Sequence, residues 1–112
     1  MPVYEVLQQA ILALKPCVIA KPGEAARKIC PYRLGKSGEG DQNVLYYQYE
    51  GYTSRSGGLQ PDGSSANWRC NDIADIVTAA IIDERWHQPI QKPKARGPCV
   101  ISEYVEIQGY YD

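Results

Sequence analysis

Phenylalanine is absent from this chain, and histidine and methionine occur once each. No apolar run approaches the roughly 20 residues needed to cross a bilayer as a helix. Each absence narrows the reading. Without phenylalanine, nine tyrosines and two tryptophans must supply the bulky apolar surface. A buried tyrosine still needs a partner for its hydroxyl, which favours thin, partly solvated sheets over a deep core. With His87 alone and no CxxC pair, zinc has no ligand set, and no metal is expected. The opening Met-Pro-Val-Tyr-Glu lacks a basic stretch leading into an apolar one, so a cytoplasmic protein away from membranes is expected. Excess charge is missing too. Twelve Lys and Arg stand against thirteen Asp and Glu, which excludes a global basic field for nucleic acid and leaves only local anion sites. Cys17, Cys30, Cys70 and Cys99 lie far apart, and nothing points to secretion, so free and mostly buried thiols are expected.

What is present is enough for one domain over residues 1–112. Tyr4, Leu7, Ala10, Ile11 and Leu14 recur at helical spacing, which predicts a helix over 4–14 ended by Pro16. Strands follow: Cys17–Ala20, then Ala26–Cys30 stopped by Pro31, then Val44–Tyr49 after a hairpin loop over 36–43. Residues 51–67 are too rich in Gly, Ser and Pro for a regular element and read as a long, functional kind of loop. Trp68–Cys70 restarts a strand, 71–75 suggests one helical turn opened by a side-chain cap, and 76–82 is β-branched enough for a strand. A basic, proline-rich loop over 87–98 leads to a last strand over 99–108. The expected fold is mainly β: an N-terminal helix followed by a small antiparallel barrel.

The order of these pieces resembles the WYL domain family. Ala10-Ile11 stands for its Ala-Ile helix, Cys17–Ala20 for the apolar strand, and Arg27 with Pro31-Tyr32-Arg33-Leu34 for the arginine strand. Val44-Leu45-Tyr46 sits at the naming triplet, Trp68-Arg69-Cys70-Asn71-Asp72-Ile73 at the second arginine segment, and Asp83-Glu84-Arg85-Trp86 at its close. The likeness runs over about residues 7–86; Val44 replaces the family tryptophan and Asp72 its second arginine. The resemblance implies an Sm-like or SH3-like barrel. It also implies a regulatory, ligand-sensing role in bacteria, since family members serve transcription regulators and defence systems, and some bind nucleotides or nucleic acid. Those proteins usually carry a helix-turn-helix before the barrel; only one helix precedes it here.

Arg33 and Arg69 are the leading candidates for a ligand site, with Tyr46 and Arg27 behind them. Guanidinium forks match phosphate oxygens, and tyrosine rings offer faces on which bases stack. Strand alternation places Leu45, Tyr47 and Tyr49 on one face and Val44, Tyr46 and Gln48 on the other. The first set is expected in the core, and Tyr46 with Gln48 on a ligand face beside Arg33 and Arg69. The plainer reading makes the arginines a solvated face and the tyrosines barrel wall. Catalysis is not expected: His87 has no nucleophile nearby in sequence, and the Gly-Lys-Ser stretch at 35–37 lacks phosphate-loop spacing. Two functions follow. One is a module binding a nucleotide or single-stranded nucleic acid without a cofactor. The alternative is a protein-interaction module with a flat apolar patch or a free edge strand.

Overall fold

The computed structural model describes residues 2–53, 57–87 and 99–107, with the side chain of Glu103 left aside. Helix α1 spans Val3–Ala13; of the predicted face it buries Leu7, Ala10 and Ile11, leaves Tyr4 half-buried, and adds Val6, which the spacing did not name. It ends one residue early. Leu14 adopts a left-handed conformation at φ 54° and is 51% exposed, so it caps the helix and leaves the core.

Six antiparallel strands follow: β1 Cys17–Ala20, β2 Arg27–Lys36, β3 Gln42–Gly51, β4 Trp68–Asp72, β5 Thr78–Ile81 and β6 Ser102–Glu106. Neighbours run β4-β3-β2-β1-β5, and β6 joins β2 beside this path. The same edge of β2 therefore serves two strands. Its first half pairs with β1 through Ile29↔Cys17, and its second half with β6 through Arg33↔Glu106 and Leu34↔Val105. Short 3-10 turns at Ser65–Asn67 and Ile73–Asp75 precede β4 and β5. The sheet is open: among the described residues β4 and β5, its two ends, do not pair.

Three sequence expectations change. Pro31 does not stop the second strand, because β1 pairs only as far as Ile29 and β6 begins at Arg33. The proline lies in the gap between them and beside a bulge, a position where a missing N–H costs no ladder bond. The turn at 73–75 forms, but Asp72 makes no side-chain cap bond. The thiols are not all free: Cys70 and Cys99 form a disulfide, and Cys17 and Cys30 are the buried free pair. The loop expected over 87–98 and the end of the last strand at Gln108 lie outside the described residues, His87 excepted.

Both faces of the sheet are covered. On one, α1 closes a cluster of Leu7, Ile11, Cys17, Ile19, Ile29, Leu34, Val44 and Tyr46. On the other, Cys30, Tyr32, Leu45, Tyr47 and Trp68 form an aromatic cluster flanked by Trp86 and Cys99.

Candidate functional site

Strand pairing decides which arginines meet. Arg69 on β4 is the cross-strand partner of Tyr46, whereas Arg33 on β2 is the partner of Leu45. Tyr46 and Leu45 are successive residues and point to opposite faces. The expected pair of Arg33 with Arg69 is therefore split across the sheet. Arg27, placed behind them in sequence, is the one that joins Arg69.

Around Tyr46 the geometry is dense. Arg27 Nη1 donates to the Tyr46 hydroxyl at 3.0 Å, and that hydroxyl donates to Asn71 Oδ1. Arg27 Nη2 binds Glu24 at 2.7 Å. Arg69 donates to the carbonyls of Ala66 and Trp68 and, at 3.5 Å, to the Thr53 hydroxyl. Gln48 Nε2 donates to the Tyr52 carbonyl at 2.6 Å, and the Arg27 guanidinium lies 5.8 Å from the Tyr52 ring centre. Burial pushes the Tyr46 phenol up despite the opposing pull of Arg27 and Arg69. For Arg27 burial works against the charge, yet Glu24 and Tyr46 outweigh it and the guanidinium titrates above its usual value.

This is not the open face that alternation suggested. Tyr46 and Gln48 are 0% exposed, Arg27 4% and Arg69 7%; Tyr52 at the rim is 38% exposed. The face assignment is corrected in half. Leu45 and Tyr47 are core as expected and Tyr49 is half-buried against them, while Tyr46 and Gln48 are buried as well: Tyr46 joins the cluster that α1 closes, and Gln48 is bonded to the Tyr52 carbonyl. Among the described side chains, Arg27 Nε and Gln48 Oε1 are buried without a hydrogen-bond partner. That leaves one donor and one acceptor for something other than protein.

Arg33 is held elsewhere. Its Nε binds Glu106 at 2.8 Å, its Nη1 donates to the Val100 carbonyl at 2.9 Å, and its guanidinium lies 4.1 Å from the Tyr104 ring centre.

A second polar group, absent from the sequence expectations, sits on the aromatic face. Tyr47 donates to Asp62 Oδ1 at 2.6 Å, His87 Nδ1 lies 2.8 Å from Asp62 Oδ2, and the His87 ring stacks on Tyr49 at 3.8 Å. Tyr49 donates to Glu84, which also binds Lys28 at 2.7 Å. Burial and then Glu84 push the Tyr49 phenol up. The His87 backbone N–H reaches Cys30 Sγ at 3.4 Å, and burial lifts that thiol to about 12, which favours its protonated form. Residues 25 apart in sequence with no shared motif leave no signal for the Asp62–His87 contact. Among the described residues no cluster of three or more His, Cys, Asp or Glu could hold a metal ion, and no helix is long and apolar enough to cross a membrane.

Compared with models of protein families, with curated proteins and with solved structures, the chain gives no match.

Proposed function

We propose that the protein is a non-catalytic regulatory module that binds a nucleotide or a short stretch of single-stranded nucleic acid at the Arg27–Tyr46–Arg69 end of the sheet. The observation that carries this reading is the placement of two arginines beside one tyrosine: Arg27 bonds the Tyr46 hydroxyl and lies 5.8 Å from the rim Tyr52 ring, and Arg69 is the cross-strand neighbour of Tyr46. Arginine forks suit phosphate oxygens, and a rim tyrosine suits a base. The N-terminal helix and the antiparallel order β4-β3-β2-β1-β5 are compatible with an Sm-like fold left open between β4 and β5, which together with the sequence resemblance supports a divergent WYL-like domain.

Titration of a fluorescein-labelled oligothymidine and of mononucleotides at low salt tests the site. Binding is expected in the micromolar range and is expected to weaken as salt rises, since phosphate contacts release counterions. Tyr52→Ala, at the exposed rim, is expected to weaken binding with the fold intact, and Arg69→Lys to weaken it by removing the fork. No binding by the wild type at micromolar concentration would leave a protein-interaction module as the function. One feature favours that second reading. Strand β5, Thr-Ala-Ala-Ile, carries no charge and ends the sheet, with Val77 beside it 56% exposed, the kind of edge on which another strand can pair.

A further inference from the structure

The Cys70–Cys99 disulfide spans the sheet. Cys70 is an exposed residue on β4, paired with Leu45 of β3, while Cys99 leads into β6 on the far edge of β2. Cys99 is therefore stapled over the aromatic face, against which it packs, and the next residue, Val100, is fully buried. The same arm encloses Arg33: the Val100 carbonyl and the Glu106 carboxylate accept its hydrogen bonds and Tyr104 lies under its guanidinium. The arm is in register with β2 at both ends, through Arg33↔Glu106 and Lys36↔Ser102, with Ile107 N–H on the Tyr32 carbonyl at 3.0 Å and Ile101 N–H on the Lys36 carbonyl at 2.8 Å. At the Val100 end the covalent link is one residue away from the carbonyl that holds Arg33.

We propose that this disulfide is a thiol-controlled latch: reduction lets the 99–106 arm open from its Cys99 end and releases Arg33 to an anionic ligand. The exchange is intermolecular. A thiolate of an external dithiol attacks Cys70 Sγ, the more exposed sulfur; the S–S bond breaks, and Cys99 leaves as a thiolate that takes up a proton. The second thiol of the reductant then resolves the mixed disulfide, freeing the Cys70 thiol and leaving the reductant oxidised by two electrons. Cys17 and Cys30 do not compete, being buried with thiols lifted to about 12.

The arm's release is independent of the proposed function. Arg33 lies on the opposite face from the Arg27–Tyr46–Arg69 end and would form a second anion site. Only the identity of its ligand as a nucleic-acid strand rests on the proposed function. Hydrogen exchange of amides 100–105 is compared with and without a phosphine reductant. A rise of about tenfold or more confined to this arm is expected, since the cross-link restrains the opened state. The Cys70→Ser/Cys99→Ser variant is expected to match the reduced wild type; should it fail to fold, the wild-type comparison still decides. Unchanged exchange overturns the latch. In parallel, reduced wild type is expected to bind labelled oligothymidine several-fold more tightly than oxidised, and Arg33→Ala is expected to lose that gain. Faster exchange with equal affinity in the two states overturns the release of Arg33 to ligand. Faster exchange with no binding in either state upholds the arm's release and overturns the nucleic-acid reading instead.

Discussion

The two faces of the sheet are both dry, but they are closed by different means. The face under α1 is filled mostly by aliphatic side chains, with Tyr46 the single large aromatic among its buried members. The opposite face is aromatic and is closed by chain without regular structure. Tyr32, Tyr47 and Trp68 pack there edge to face, with ring centres 4.8 and 5.7 Å apart, and Trp86 and His87 are drawn over them from the stretch after β5. A helix supplies cover through its own periodicity. An irregular segment must be tied down by specific bonds, here Trp86 Nε1 to the Tyr32 hydroxyl, Tyr32 to the His87 carbonyl, Asp62 to His87, and the disulfide.

The sharpest way to break the comparison is to truncate one tyrosine per face. Tyr46→Ala and Tyr47→Ala are each expected to cost about 3–5 kcal/mol, the range for large aromatic truncations in a core. Tyr46→Ala should lie at the upper end, because it also strips Arg27 and Asn71 of their shared hydroxyl. Urea unfolding of both variants checks this, and a silent Tyr46 variant would show that α1 does not seal its face. Next comes the link across the aromatic face. Closing a loop with sequence separation 29 is worth about 3–4 kcal/mol in the chain-entropy account, so reduction should lower the unfolding midpoint while leaving the aliphatic face protected from exchange.

Backbone crowding gives a smaller, local effect. Gly51 adopts φ +101°, and a Cβ there would stand 2.5 Å from the Ala26 carbonyl oxygen. Gly51→Ala is expected to cost about 1–3 kcal/mol and to loosen the Tyr52 rim, read by urea melts together with exchange at residues 52 and 53.

pH separates the faces most gently. Each face holds one buried thiol, Cys17 or Cys30, raised from 9.0 to about 12. Between these values the unfolded chain has lost protons that the folded chain keeps, so stability should fall as pH climbs from about 9 to about 12. Cys30→Ala and Cys17→Ala should each flatten that fall. At the acid end the aromatic face responds through Asp62. Tyr47 and His87 hold Asp62 below the usual 3.8 against the cost of burial, so its contribution is present above that value and is lost as pH falls through the folded one. The Asp62 side chain is 49% exposed, so Asp62→Asn should cost no more than about 0.5 kcal/mol, seen as a shallower acid melt.

How much of this was legible in the sequence follows from the range over which each signal acts. Local periodicity located α1, and β1 falls at the predicted Cys17–Ala20, because spacing and β-branching act within a few residues. The core placement of Leu45 and Tyr47 was legible from alternation. That of Tyr46 and Gln48 was not, since alternation separates two faces without saying whether the second is covered. Arg33 and Arg69 resembled one another as strand arginines, and only the register, Leu45 against one and Tyr46 against the other, sends them apart. Pro31 stops a strand by local rule, yet β2 continues through it because its neighbours on that edge leave a gap, which no local signal records.

That divided edge of β2 also bears on the order of assembly. The β2–β3 hairpin closes through a turn at 37–41, with Ser37 N–H to the Asp41 carbonyl at 2.8 Å, and its loop is short enough to form early. The Arg33–Glu106 contact joins residues 73 apart and carries a far larger loop-closure entropy. Strands β5 and β6, which pair across the longest separations, are therefore expected to dock after the hairpin. Until β6 does, the Arg33–Lys36 half of β2 would present an unpaired edge with Leu34 at its centre, the kind of edge on which a second copy can pair.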